Sequence, residues 1–239
     1  IMGTRPFVFK NPDSYRSFLG LVAHEYFHTW NVKRLRPKGI TPYDYTKENY
    51  VGELWVSEGT TSYYDELLLV RSGLVTADRY LDWIQAAIMT DRQRPGNSVQ
   101  SVYESGFDAW IKYSRGTAQA FNTESDYYDK GSCVSLLLDL EVRRASGNVR
   151  SLDDVLRTLF AEFPAGKGFD QADMLRVLKD ITGEDFAPFF KDLYAWCEVQ
   201  GLPAKTLISE YAPGQMEIVL RHRGDVLKAC DEAIMLKRL

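Results

Sequence analysis

The sequence has few cysteines and few histidines. Its 239 residues include 3 of each, and the cysteines, Cys133, Cys197 and Cys230, are widely spaced and form no C-x-x-C pair. An odd number of scattered cysteines predicts neither a disulfide framework nor a zinc site made of thiolates. We interpret them as free, packed thiols.

A long apolar run and an excess of positive charge are also missing. The longest apolar stretches, such as 67–70 and 136–138, are far shorter than the roughly 20 residues that cross a bilayer, so no membrane span is expected. The formal net charge is −4, which leaves no basic surface for phosphates, and nucleic acid is therefore not an expected partner. Residues 1–6 carry no signal peptide and do not resemble a natural start. The sequence favours a soluble chain but decides neither between cytoplasm and periplasm nor on an oligomeric state.

Apolar residues are plentiful and follow a helical period. Hydrophobic residues make up 45% of the chain, enough for a packed core. Their spacing predicts a mainly α fold as far as about residue 200. The stretch 96–123 is rich in Ser, Gly and aromatic residues and predicts a long, partly ordered loop. The predicted helices cover about 13–30, 51–71, 76–94, 125–145, a segment that opens at Ser151, 171–181 and 184–198.

The last 39 residues show a different pattern. Residues 216–221 alternate as a strand and 223–225 can turn, which predicts a short β-rich tail. We therefore divide the chain into a helical region, 1–200, and a tail, 201–239. A single hairpin is too small to form its own core.

The motif H-E-x-x-H lies in the first predicted helix. His24 and His28 are four residues apart, so both imidazoles face one side of the helix and can bind one Zn²⁺. Glu25 lies next to His24, where its carboxylate can accept a proton from the attacking water. Two of the three histidines in this arrangement indicate a catalytic metal site more strongly than a chance pair.

A catalytic zinc normally has three protein ligands, so a third donor is needed. Glu58 follows the apolar residues 54–56 in the second predicted helix. A carboxylate on an apolar helix face needs a partner, because an unpaired buried charge is costly. Zinc is one such partner, and a salt bridge or a helix cap is the alternative. Gly59 indicates close approach of another backbone or a substrate.

Longer motifs around these residues resemble the glycyl aminopeptidase family. They are H-E-Y-F-H-T-W-N-V-K-R-L-R-P at 24–37, L-W-V-S-E-G-T-T-S-Y-Y-D at 54–65, the segment 104–112, D-Y-Y-D-K-G at 126–131 and S-L-D-D-V at 151–155. The resemblance covers about residues 7–200 and implies a thermolysin-like (gluzincin) helical catalytic domain. It also implies that Glu58 is the third zinc ligand, and Asp65 is a candidate partner for a ligand histidine.

The resemblance gives Tyr128 a role as well. The segment 127–131 is similar to the Y-x-K-G element of related aminopeptidases, in which the tyrosine two residues before the lysine stabilises the oxyanion. Tyr128 is that tyrosine, and Tyr127 is more typical of a packing residue. A phenol can donate to a developing oxyanion without carrying charge.

Together these observations predict a zinc metallopeptidase that acts on peptides, most specifically an aminopeptidase that removes N-terminal Gly or Ala. The preference for small residues comes from the resemblance. The alternatives are a zinc endopeptidase and a non-catalytic peptide-binding or scaffold fragment. Family members also carry an upstream G-G-L-E-H segment that this sequence does not contain, and the tail around 208–215 resembles the end of a PDZ-like module. We therefore expect a fragment of a longer protein.

Overall fold

The computed structural model describes residues 2–195, whose regular elements are helices joined by turns and loops, with two isolated β-bridges and no extended strand within that range. The predicted mainly α class is confirmed there, whereas the predicted β-rich tail lies outside the described residues. No helix between residues 2 and 195 has the length and hydropathy to span a bilayer. The α-helices of this range are α1 (Pro12–Phe27), α2 (Thr60–Arg71), α3 (Ala77–Gln93), α4 (Val102–Lys112), α5 (Ala120–Thr123), α6 (Asp129–Ala145), α7 (Leu152–Glu162), α8 (Gln171–Thr182) and α9 (Ala187–Ala195).

The start of α1 differs from the prediction. The capping residue is Asn11, whose side chain accepts a hydrogen bond from the Ser14 N–H at 3.0 Å, so the helix begins at Pro12 and not at about residue 13. Pro12 occupies the first helical position, where its missing N–H is not needed. A residue before proline favours extended backbone, and Asn11 has the φ of −111° and ψ of 122° that a capping residue requires.

The predicted loop at 96–123 is wrong, because this stretch contains α4 and α5. Ser101 caps α4 reciprocally with Glu104: the Glu104 N–H donates to Ser101 Oγ at 3.1 Å, and the Ser101 N–H donates to Glu104 Oε2 at 2.9 Å. Gly106 contributed to the loop prediction, but it lies inside α4, where a Cβ would come within 2.8 Å of the Gly52 carbonyl oxygen. Because Gly106 has no side chain, α4 can pack against the backbone at Gly52.

One hydrophobic core joins the described helices. α6 lies at its centre and packs against α2, α3, α7 and α8. Leu138 and Val142 of α6 are completely buried, as are Val155 and Leu159 of α7. The core extends in sequence from Leu35 to Phe190.

Gly59, directly before α2, and Gly131 of α6 approach each other closely. A Cβ on Gly59 would lie 2.4 Å from Gly131 Cα and 2.7 Å from the Tyr127 carbonyl oxygen. Both neighbours are backbone atoms, which cannot rotate away. The prediction that Gly59 allows another backbone to come close is confirmed.

Gly59→Ala is expected to destabilise the fold by about 1–3 kcal/mol, because the added methyl forces α2 and α6 apart. The midpoint of urea unfolding measures the loss. Gly116→Ala is the matched control: nothing lies within 4 Å of its Cβ position and its φ is −47°, so we expect a change of at most about 0.5 kcal/mol. Equal stability of the two variants would contradict the packing argument.

Candidate metal centre

His24, His28 and Glu58 form a compact cluster between α1 and the segment before α2. Glu58 Oε2 lies 3.2 Å from the Nε2 atom of His24 and 3.2 Å from the Nε2 atom of His28. One donor atom from each residue lies within 4.8 Å of the others. The structure therefore brings together the three residues predicted as metal ligands.

The outer nitrogen of each imidazole has its own partner. His24 Nδ1 lies 3.2 Å from Asp65 Oδ2, and His28 Nδ1 lies 2.7 Å from the carbonyl oxygen of Asn31. A carbonyl oxygen only accepts hydrogen bonds, so His28 donates from Nδ1, and Nε2 is the ring nitrogen that faces Glu58 and can bind a metal. Metal-binding histidines typically make such outer hydrogen bonds, which orient the ring and fix its tautomer. Asp65 is thus within hydrogen-bond distance of a ligand histidine, as the sequence indicated.

The donor set fits a zinc ion in type and spacing. Two atoms bound to a tetrahedral zinc at about 2.0–2.1 Å lie about 3.3–3.4 Å from each other. The two nitrogen-to-oxygen distances of 3.2 Å are close to that spacing. Two imidazoles and one carboxylate are also a ligand set found in catalytic zinc sites.

The electrostatics of the cluster favour positive charge. Burial alone would lower the pKa of His24, but hydrogen bonds to Asp65 and Glu58 outweigh it and raise the pKa to about 9. Burial would raise the pKa of Glu58, but hydrogen bonds from His24 and His28 lower it to about 2. The cluster thus holds a proton in the space where a cation fits, and binding a metal would release it.

Glu58 belongs to a π-turn, Trp55–Gly59, that runs directly into α2. The sequence predicted an ordinary α-helix from residue 51, so the wider turn is a correction. Single π-turns often occur at functional sites, because the extra residue changes the direction of a side chain. Here the turn contains both the carboxylate of Glu58 and the close contact at Gly59.

Tyr128 lies beside the cluster at the start of α6. Its N–H donates to Asp126 Oδ1 at 2.8 Å, and its ring centre lies 6.1 Å from that of His24. Burial and the nearby charge of Glu58 raise the pKa of Tyr128 well above its usual range. The hydroxyl therefore stays protonated and can donate. Tyr127 is buried in the core, as a packing residue would be.

Glu25 is exposed on α1, next to His24 in sequence. Its carboxylate makes no hydrogen bond or ion pair with the other described residues, 2–195. A carboxylate free of other partners is available to a water or a substrate. This is the position that a general base next to the cluster requires.

Two residues near the cluster received no role from the sequence. Asn31 accepts from His28 through its carbonyl, and Tyr113 places its ring 5.7 Å from that of Tyr128. The position of Asn31 three residues beyond the second histidine was the available signal, because a chain leaving a helix often passes close to the last turn. Tyr113 had no signal, since its segment was predicted as a loop.

Comparison with known proteins finds similarity in the region that contains this site. Residues 17–134, which include the two histidines, Glu58 and Tyr128, match the M61 glycyl aminopeptidase family. This region of the chain is therefore similar to that family. A solved structure of an aminopeptidase N family protein from Idiomarina loihiensis is also similar: 38% identity over 77% of this chain, with a TM-score of 0.73. The chain spans 32% of the length of that relative, about a third of it.

A second similarity concerns the other end of the chain. Residues 148–239 match the catalytic domain of glutamine synthetase. Gamma-glutamylputrescine synthetase from Escherichia coli strain K12 is 44% identical over 54 residues, which are 23% of this chain and 11% of that protein. Within the matched range, α7 and α8 pack into the same core as the M61 region. The predicted PDZ-like end lies outside the described residues and stays a prediction.

Proposed function

We propose that this chain carries the catalytic core of a zinc-dependent aminopeptidase that removes N-terminal Gly or Ala from peptides. The observation that supports it most is the convergence of His24, His28 and Glu58 within 4.8 Å. The hydrogen bonds that orient both imidazoles from behind add to it. Similarity to a peptidase family supports the reaction class.

The remaining chemistry is divided between Glu25 and Tyr128. A zinc ion held by the three ligands would leave a position open for water, lower the pKa of that water to about 7 and polarise the scissile carbonyl. Glu25 accepts the proton of the attacking water and passes it to the leaving amine. Tyr128 donates its phenolic hydrogen to the oxyanion that develops on the former carbonyl oxygen.

Hydrolysis of Gly- and Ala-anilides, with and without an acetyl group on the amine, tests the aminopeptidase assignment. The longest available form of the protein is the right sample, because this chain spans only about a third of its solved relative. We expect turnover of the free-amine substrates and none of the acetylated ones. Cleavage of blocked peptides at internal bonds would indicate an endopeptidase instead. Bound zinc without any turnover would support a non-catalytic fragment.

Tyr128→Phe is expected to lower kcat by about 10²–10³-fold, because one donor to the oxyanion contributes about 2.7–4 kcal/mol. KM should change little, since the hydroxyl acts mainly in the transition state. Steady-state kinetics on a Gly-anilide measure both constants.

Tyr127→Phe is the control for this variant. It keeps the packed ring, and we expect kcat to fall by at most about tenfold. Equal kcat values for the two variants would remove Tyr128 from the mechanism.

A further inference from the structure

Asn31 is buried just beyond the end of α1 and is only 2% exposed. Its carbonyl oxygen accepts the hydrogen bond from His28 Nδ1 at 2.7 Å. Its main chain therefore orients one imidazole of the cluster. A shift of this residue changes the direction of the His28 ring directly.

The side chain of Asn31 faces a different part of the site. Nδ2 donates to the Val56 carbonyl oxygen at 2.8 Å and lies 3.4 Å from that of Ser57. It also lies 3.2 Å from Thr61 Oγ1. Val56 and Ser57 immediately precede Glu58 in the π-turn. The amide thus holds the backbone that carries the third ligand.

We propose that Asn31 is a positioning residue that sets the separation between His28 and Glu58 and thereby the affinity of the metal centre. The inference rests on the proposed function, because it needs these residues to bind a metal. The main chain of Asn31 contacts His28, and its side chain contacts the segment that carries Glu58. One residue therefore links the two ligands. Among the hydrogen bonds of residues 2–195, no other residue joins His28 to the backbone of the two residues before Glu58.

The amide group is essential to this role. Nδ2 is surrounded by two carbonyl oxygens and a hydroxyl, all of which can accept. A carboxylate of the same shape would place a negative oxygen against both carbonyls and repel the turn. Loss of one outer contact of a metal ligand typically costs about 10–100-fold in metal affinity.

The test is Zn²⁺ affinity of the whole chain, measured by competition with a chromophoric chelator. The Co²⁺ absorption spectrum reports ligand geometry in the same samples. We expect Asn31→Asp to weaken Zn²⁺ binding by about 10–100-fold and to change the Co²⁺ spectrum. Thr61→Val removes one acceptor of the amide and should weaken binding by about two- to tenfold. If Asn31→Asp does not fold, the Zn²⁺ affinity of Thr61→Val tests the inference instead.

Asp139→Asn provides the matched control, a swap of carboxylate and amide in the same core. Asp139 accepts from the Leu152 N–H at 2.7 Å and from the Tyr63 hydroxyl at 2.8 Å, and it contacts no ligand of the cluster. It should lower stability to urea but leave Zn²⁺ affinity unchanged. Unchanged affinity in both Asn31→Asp and Thr61→Val would overturn the inference while the centre itself stands. Failure of the unmodified chain to bind Zn²⁺ would instead overturn the proposed function, and the inference with it.

Discussion

Glu25→Gln is expected to lower kcat by about 10²–10⁴-fold, the usual contribution of a positioned general base. The amide has nearly the same shape but cannot accept the proton of the attacking water at neutral pH. Because Glu25 is exposed and outside the three-residue cluster, metal content and the unfolding midpoint should stay as in the unmodified chain. Kinetics on a Gly-anilide and zinc analysis of the same sample measure both effects.

Glu48→Gln is the control for this change. Glu48 is also exposed, and it lies in the loop between α1 and the π-turn. Its replacement should leave kcat unchanged. If Glu25→Gln and Glu48→Gln gave the same kcat, Glu25 would not be the base, and a non-catalytic role for the metal centre would become the better explanation.

Glu58→Gln is expected to remove bound zinc and, with it, activity. The amide oxygen is uncharged and a poor zinc ligand, and the two imidazoles alone cannot complete a catalytic set of three. The loss of affinity should exceed the about 10–100-fold that the loss of an outer contact costs. Chelator competition measures affinity, and activity should not return at zinc concentrations that saturate the unmodified chain.

Glu66→Gln is the control for Glu58→Gln, because it removes the charge of a different buried glutamate, which lies in α2. Glu66 is 5% exposed and pairs with Arg16 at 2.6 Å. Its replacement is expected to lower stability and to leave zinc binding intact. Zinc retained with unchanged affinity by Glu58→Gln would mean that Glu58 is not a zinc ligand.

Helix positions were predicted well where a local signal marked them. Thr76 caps α3 and Ser151 opens α7 with a reciprocal cap, as the sequence indicated. Predictions failed where packing decided. Gly106 was interpreted as a loop residue, but it lies in α4. A side chain does not fit at this position, because the backbone at Gly52 passes too close. Nothing in a single sequence shows that a glycine is small for the benefit of a distant segment.

The sequence by itself determined the two histidine donors and the base of the proposed centre. His24, Glu25 and His28 lie within one helical turn and a half, so their relative positions follow from helix geometry alone. Only the tertiary structure decided what surrounds them. Glu58 is 34 residues from His24 and Asp65 is 41. Their contacts depend on how α1, the π-turn and α2 pack, because distant segments meet only through the core. The same packing placed Tyr128 beside His24 and made Asn31 the link between His28 and the backbone of Glu58.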